Sequence, residues 1–96
     1  MATTDKTLDT LKRAIGACGV RVMGDMVGRY DDAADPAQSG AMLARAGIRR
    51  SLWSYVEREM LVARPDWTRV KALHKAWVIS NAWCDEGVAA RKKATP

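Results

Sequence analysis

A strong helix start followed by a glycine stop constrains the middle of this chain more than any other feature. Asp35 has the side chain of a helix N-cap, Pro36 fits the first helical position, and the glutamine that follows can reach back in a capping box. Gly47 can adopt the left-handed conformation that ends a helix, and Ser51 can cap the next one. The sequence therefore predicts two short helices joined by a tight turn within residues 35–62.

This spacing resembles a helix-turn-helix, the motif in which the second helix enters a DNA groove. The resemblance covers less than a third of the chain, and Leu43 is bulky where the motif prefers a small residue. It implies that five apolar side chains are buried: Met42, Ala46, Ile48, Trp53 and Val56. It also places Arg49, Arg50, Ser51 and Ser54 at the leading end of the second helix. The alternative is an ordinary helix hairpin, in which Gly47 only ends one helix.

The segment before this motif is predicted to be helical. Apolar residues recur there at spacings of three and four, from a start near Thr4 or Thr7, and form one stripe: Leu8, Leu11, Ile15, Cys18, Val22 and Met26. Several glycines interrupt the pattern, so we expect the helix to break or bend near residues 16–19. A strand over the valines that follow is the less favoured alternative. Residues 30–35 read as an acidic loop.

A last helix is predicted from about Trp67 to Ala90, with Asp66 or Pro65 at its start. One of its faces carries Val70, Leu73, His74, Trp77, Asn81, Cys84 and Val88. The opposite face carries Ala72, Ala76, Ile79 and Trp83. Because one neighbouring helix cannot cover both faces, we expect Trp77 in the core and the Trp83 face at an oligomer or partner interface.

The fold class that these patterns favour is all-α. We expect residues 1–96 to form a single-domain, orthogonal bundle of three to four helices that contains the helix-turn-helix, with residues 1–6 and 91–96 frayed. No apolar run approaches the ~18 residues that a membrane span needs, so we expect no membrane partner. The polar start of the chain and its two cysteines favour the reducing cytoplasm.

The charge balance points to an acidic partner. The chain has 16 Lys and Arg residues against 11 Asp and Glu residues, a net charge of +5. DNA or an acidic protein surface would both be attracted to it. The residues predicted to bind such a partner lie at and after the expected turn: Arg45, Arg49, Arg50, Ser51, Ser54 and Arg58.

Catalysis is not expected from this sequence. His74 is the only histidine, and Cys84 lies ten residues further along the same predicted helix, about 15 Å away, so they cannot form a dyad. The acidic residues near position 32 lack the spacing of a calcium loop, and no paired zinc ligands or phosphate-binding glycine loop is present. We therefore predict no enzyme activity, no metal and no cofactor.

Two hypotheses for function follow. The first is a homodimeric, DNA-binding transcriptional regulator of the helix-turn-helix type. The second is a small interaction protein, encoded by a phage or plasmid, that binds and inhibits a host or defence protein complex, as an anti-CRISPR protein does. The position of the apolar face of the last helix, and the accessibility of the arginine-rich turn, separate the two.

Overall fold

The computed structural model contains four helices and no strand within residues 6–94, the part of the chain that it describes. The helices are α1 (Lys6–Cys18), α2 (Val20–Ala34), α3 (Ala41–Leu61) and α4 (Trp67–Ala94). Within residues 6–94, the structure describes every side chain except those at positions 20, 21, 23–25, 31 and 94. The all-α fold class predicted from the sequence is confirmed.

The apolar stripe predicted for the first segment is confirmed, and so is the break within it. All six residues of the stripe are buried: Leu8, Leu11, Ile15, Cys18, Val22 and Met26. Gly19 separates α1 from α2 with a φ of 121°, which side-chain-bearing residues rarely adopt. The Arg69 guanidinium also lies 3.3 Å from the ideal Cβ position of Gly19, which is closer than most Cβ contacts. Glycine is therefore required at this break.

Consecutive helices run in opposite directions, so the chain forms an up-and-down four-helix bundle. Thr7 near the start of α1 donates a hydrogen bond of 2.8 Å to Glu86 near the end of α4. At the opposite end of the bundle, the Glu59 Oε2 of α3 lies 4.0 Å from the Arg69 Nη1 of α4. Contacting neighbours are α1 with α2, α2 with α3, α3 with α4 and α4 with α1. The helices are thus aligned in a bundle of 51 × 20 × 19 Å, and the expected orthogonal packing was wrong.

The turn predicted at Gly47 is not formed, because α3 is continuous through it. The buried residues of α3 recur at spacings of three and four on both sides of Gly47: Ala41, Arg45, Ile48, Leu52 and Val56. A break at Gly47 would take the later members of this stripe out of the core, whereas a glycine inside a helix costs only ~1 kcal/mol. Core packing therefore overrides the glycine stop. The predicted helix-turn-helix is absent from residues 35–62.

The predicted start at Asp35 initiates a turn instead of a helix. The Asp35 carboxylate accepts a hydrogen bond of 3.0 Å from the Ala37 N–H, and its carbonyl accepts one of 3.1 Å from the Gln38 N–H. Gly40 then adopts the left-handed conformation with a φ of 89°, and α3 begins at Ala41. The expected acidic loop is also shorter than predicted, since α2 continues to Ala34.

The start of α4 agrees with the prediction, but its end and its buried face do not. The Asp66 carboxylate accepts a hydrogen bond of 3.2 Å from the Arg69 N–H, as an N-cap does. The helix continues to Ala94, so residues 91–94, like Lys6, are helical and not frayed. The other positions expected to fray, 1–5 and 95–96, lie outside the described residues. The buried line of α4 runs between its two apolar faces and consists of Val70, Leu73, Ala76, Ser80, Trp83 and Gly87.

Candidate functional site

Four of the six residues predicted to bind a partner lie together along one side of α3. Arg50, Ser51, Ser54 and Arg58 face the side on which α2 packs, and all except the half-buried Ser51 are exposed. Ser54 lies three or four residues from each of the other three, so all four fall within about 100° of the helix surface. The structure adds Arg29, which reaches this surface from α2. These five side chains define what we call the basic groove.

The basic groove is a continuous concave surface made of two adjoining hollows. One, of about 390 Å³, is lined by Arg29, Ser51, Ser54, Tyr55 and Arg58. The other, of about 460 Å³, is lined by Arg29, Leu43, Ala44, Gly47, Arg50, Ser51 and Ser54. The arginine from α2 and the two serines are common to both. The groove is therefore mainly polar in the first hollow and mainly apolar in the second, where Leu43 is exposed.

Arg29 is held across the surface of α3. Its Nη1 donates a hydrogen bond of 2.9 Å to the Ser51 hydroxyl oxygen, and the same atom lies 3.3 Å from the ideal Cβ position of Gly47. Because a hydroxyl is neutral, the bond orients the guanidinium without cancelling its charge. Gly47 therefore lies directly beneath this arginine, and an added Cβ there would require the exposed guanidinium to shift by only a few tenths of an ångström.

Arg58 is positioned at the other end of the basic groove by an aromatic ring. Its guanidinium carbon lies 5.5 Å from the ring centroid of Tyr55, within the range of a cation–π contact. Such a contact favours one orientation of a long, exposed side chain. Two of the three groove arginines, Arg29 and Arg58, are therefore oriented by neighbours.

Arg49 lies on a different side of α3, towards α4. Its positive charge acts on the Cys84 thiol, lowering that pKa, although burial is the larger effect and raises the pKa above its ordinary value. Arg49 and Arg50 are adjacent in sequence but, being about 100° apart around a helix, they face different surfaces. The structure therefore separates the arginine pair that the sequence placed at one helix tip.

The prediction that Arg45 binds a partner is corrected by the structure, because its side chain is only 3% exposed. Its Nε donates a hydrogen bond of 2.9 Å to the Ala33 carbonyl at the end of α2, and its Nη1 donates one to the Trp83 carbonyl. Its guanidinium carbon also lies 4.4 Å from the Trp83 ring centroid. Of the two acceptors, Ala33 lies at the C-terminus of α2, where a positive charge can satisfy a carbonyl that has no helical partner. Arg45 joins α2, α3 and α4 inside the bundle.

This buried arginine requires a glycine on α4. A Cβ at Gly87 would lie 2.9 Å from the Arg45 Cδ and 3.0 Å from its Nε. The absence of a side chain at position 87 therefore provides the volume that the guanidinium stem occupies.

The face predicted for an oligomer or partner is also corrected. Trp83 and Ala76 are fully buried, while Ala72 and Ile79 are half-buried where α4 packs on α1. Trp77, which we expected in the core, is instead half-buried and stacks on Trp53 with ring centroids 4.8 Å apart. The choice between the two apolar faces of α4 depends on where α1 and α3 pack, which the sequence pattern of one helix does not contain.

The thiols and the histidine are distributed as separate groups. Burial raises the pKa of both Cys18 and Cys84 above the ordinary value, which disfavours the nucleophilic thiolate. The His74 ring is exposed and lies 5.7 Å from the Trp77 ring centroid. Among the described residues, no three His, Cys, Asp or Glu side chains group in a way that could hold a metal ion. The absence of enzyme activity stays a prediction.

Sequence reasoning missed Arg29, which is a member of the basic groove, and Tyr55, which lines one of its two hollows. Arg29 lies 22 positions before its hydrogen-bond partner, Ser51, so no local spacing connects them. The helical spacing of α3 would have placed Tyr55 beside Ser51, had residues 41–61 been read as one helix.

Within the described residues, none of the helices combines the length and the apolar character needed to span a bilayer. Comparison with known proteins gives no match: no protein-family model fits the chain, and no curated protein or solved structure is significantly similar to it.

Proposed function

We propose that this chain is an interaction protein whose basic groove binds an acidic segment of a partner protein. The observation that supports the proposal is the groove itself, which combines three guanidinium groups and two hydroxyls with an exposed leucine. This is the second of the two functions expected from the sequence, and we propose the groove between α2 and α3 as its binding surface.

Arginines in a groove of this kind can bind carboxylates. A guanidinium presents its N–H donors in a planar fork that matches the two oxygens of a carboxylate. The orientation of Arg29 by Ser51, and of Arg58 by Tyr55, reduces the side-chain entropy that a partner's binding would otherwise remove. A groove between two helices also has the shape that accommodates a helical or extended segment.

The apolar end of the groove favours a protein partner over DNA. Leu43 is 80% exposed and lines the hollow that also contains Arg29 and Arg50. Protein interfaces combine apolar side chains with arginine, whereas DNA interfaces are more polar and more strongly positive. A partner segment with acidic residues on one side and an apolar residue to cover Leu43 fits this surface.

DNA binding through the phosphates is the second candidate, because the same three arginines and the net charge of +5 would attract a duplex. The base-reading arrangement expected from a helix-turn-helix does not support it, since Ser51 lies inside α3 and not at a helix tip. A regulator of this sequence would have to read DNA in another way.

An inhibitory role is part of the proposal. A small protein inhibits a larger complex by covering a surface that the complex needs, and an acidic surface is the complement of this groove. Binding of this kind requires no catalytic group, cofactor or metal.

The proposal is tested by comparing two triple variants that lose the same charge. In the groove variant, Arg29, Arg50 and Arg58 are replaced by Gln. The control variant replaces three exposed cations by Gln on the opposite side of the bundle, which is formed by α1 and α4. These residues are Arg13, Lys71 and Lys75. The probes are a labelled helical peptide with Glu residues at spacings of three and four along one face and a Leu beside them, and a labelled DNA duplex, each titrated at low and high salt.

We expect the groove variant to bind the acidic peptide at least tenfold more weakly than the control variant, a difference of ~1.4 kcal/mol. Leu43→Ser should also weaken the binding of the peptide while leaving the binding of the duplex unchanged. Equal losses in the two triple variants would show that only net charge matters, and would contradict the proposal. The DNA candidate would be established instead if the protein bound only the duplex, if the groove variant lost that binding, and if Leu43→Ser left it unchanged.

A further inference from the structure

A stripe along α3, exposed except for the half-buried Ala46, shares no residue with the basic groove and is self-complementary under a two-fold rotation. The stripe consists of Ala46, Arg49, Trp53, Glu57 and Met60, which we call the Trp53 stripe. The spacings along it are three, four, four and three residues, so it reads the same in both directions from its centre. Its members lie on one face of a continuous helix, on the side of α3 towards α4.

The centre of the stripe is an aromatic ring that is both anchored and accessible. Trp53 is 40% exposed, and its inner side rests on Trp77 with ring centroids 4.8 Å apart. Met60 at one end of the stripe is 50% exposed. A tryptophan held in place before binding loses little freedom on contact, which is why such residues dominate interface energetics.

The charges of the stripe are complementary under a two-fold rotation. Arg49 and Glu57, both exposed, lie four residues before and four residues after Trp53. We propose that a second copy of this chain docks antiparallel along the Trp53 stripe, with the two Trp53 rings meeting at the two-fold axis. Arg49 of each copy then faces Glu57 of the other, and both pairs form together, each about 6 Å along the helix from the axis.

The sizes of the outer residues fit the same arrangement. Ala46 and Met60 lie seven residues before and seven residues after Trp53, so the large Met60 of one copy meets the small Ala46 of the other. A parallel arrangement would instead place like charges together, Arg49 on Arg49 and Glu57 on Glu57. The stripe therefore specifies both the partner and its direction.

This dimer would leave most of the basic groove open. Arg29, Ser51, Ser54 and Arg58 line the side of α3 that faces α2, whereas the Trp53 stripe lies beside α4, and only Arg50, three residues before Trp53, borders both surfaces. The inference is independent of the proposed function, and a dimer would carry two grooves.

A charge reversal and its compensating partner test the proposal. Arg49→Glu, Glu57→Arg and the double variant are compared with the parent by sedimentation equilibrium from about 1 to 100 μM. We expect the parent to approach twice its monomer mass of 10.6 kDa within this range. Each single change should raise the dissociation constant at least tenfold, because two attractive pairs become two repulsive ones. The double variant should return to within about threefold of the parent.

Both changed residues are exposed, so the monomer fold should survive, and matching circular dichroism spectra and melting curves confirm that each variant is folded. Trp53→Ala should also abolish dimerisation. A parent that stays monomeric at about 100 μM would overturn the proposal. So would a dimer that both single reversals leave unchanged, since that dimer would use another face.

Discussion

Replacing Gly47 by alanine should raise the free energy of unfolding if Gly47 lies inside a helix, and lower it if Gly47 forms a left-handed turn. In the structure Gly47 is helical, and alanine is more favourable than glycine inside a helix by ~1 kcal/mol. The new Cβ would lie 3.3 Å from the Arg29 Nη1, so that exposed guanidinium must shift by a few tenths of an ångström. Weakening its surface hydrogen bond to Ser51 would cancel up to ~0.5 kcal/mol of this gain in stability. We therefore expect Gly47→Ala to be stabilising by about 0.5 to 1 kcal/mol.

The measurement is thermal and urea unfolding, followed by circular dichroism. For a domain of this size, we expect the melting temperature to rise by about 2 to 8 °C. Gly40→Ala is the matched control, because Gly40 has a φ of 89° and no atom lies within 4 Å of its ideal Cβ position. Backbone strain alone should lower its stability by ~1 kcal/mol or more. If Gly47→Ala were destabilising by a similar amount, a turn at Gly47 would be correct and the continuous α3 would be refuted.

Three further predictions concern the core. Trp83→Ala should be destabilising by ~3 to 5 kcal/mol, and Trp77→Ala by clearly less, when both are compared by urea unfolding; equal losses would contradict the assignment of the two faces of α4. Gly87→Ala should be destabilising by ~1 to 3 kcal/mol, because its Cβ would overlap the stem of the buried arginine; a neutral result would show that this arginine can move aside. Burial raises the pKa of Tyr30 to about 12 from the ordinary value of 10.0, so its contribution to stability is present below pH 10 and is lost as the pH rises through 12. In a Tyr55→Phe variant, Tyr30 is the only tyrosine left, so its pKa can be measured by phenolate absorbance. A measured pKa near 10 would show that Tyr30 is not buried.

The sequence alone determined the features that depend on neighbouring residues. The helical stripe from Leu8 to Met26, the break at Gly19 and the start of α4 at Asp66 were all predicted and are present. Spacing and capping chemistry act within a few residues, so the sequence contains them. The clustering of Arg50 and Arg58 on one surface likewise follows once α3 is known to be a single helix.

Tertiary structure decided the features for which the local signals allow two outcomes. Gly47 can end a helix or accommodate a neighbour, and the burial of Ile48 and Leu52 beyond it selects the second outcome. Trp77 and Trp83 lie on different apolar faces of α4, and Trp83 is the one buried, against Tyr30 of α2 and Arg45 of α3. Arg45 has the sequence context of a surface arginine, yet carbonyls from two other helices hold it inside. Each of these outcomes depends on residues distant in the sequence, because burial depends on which surfaces meet when the bundle assembles.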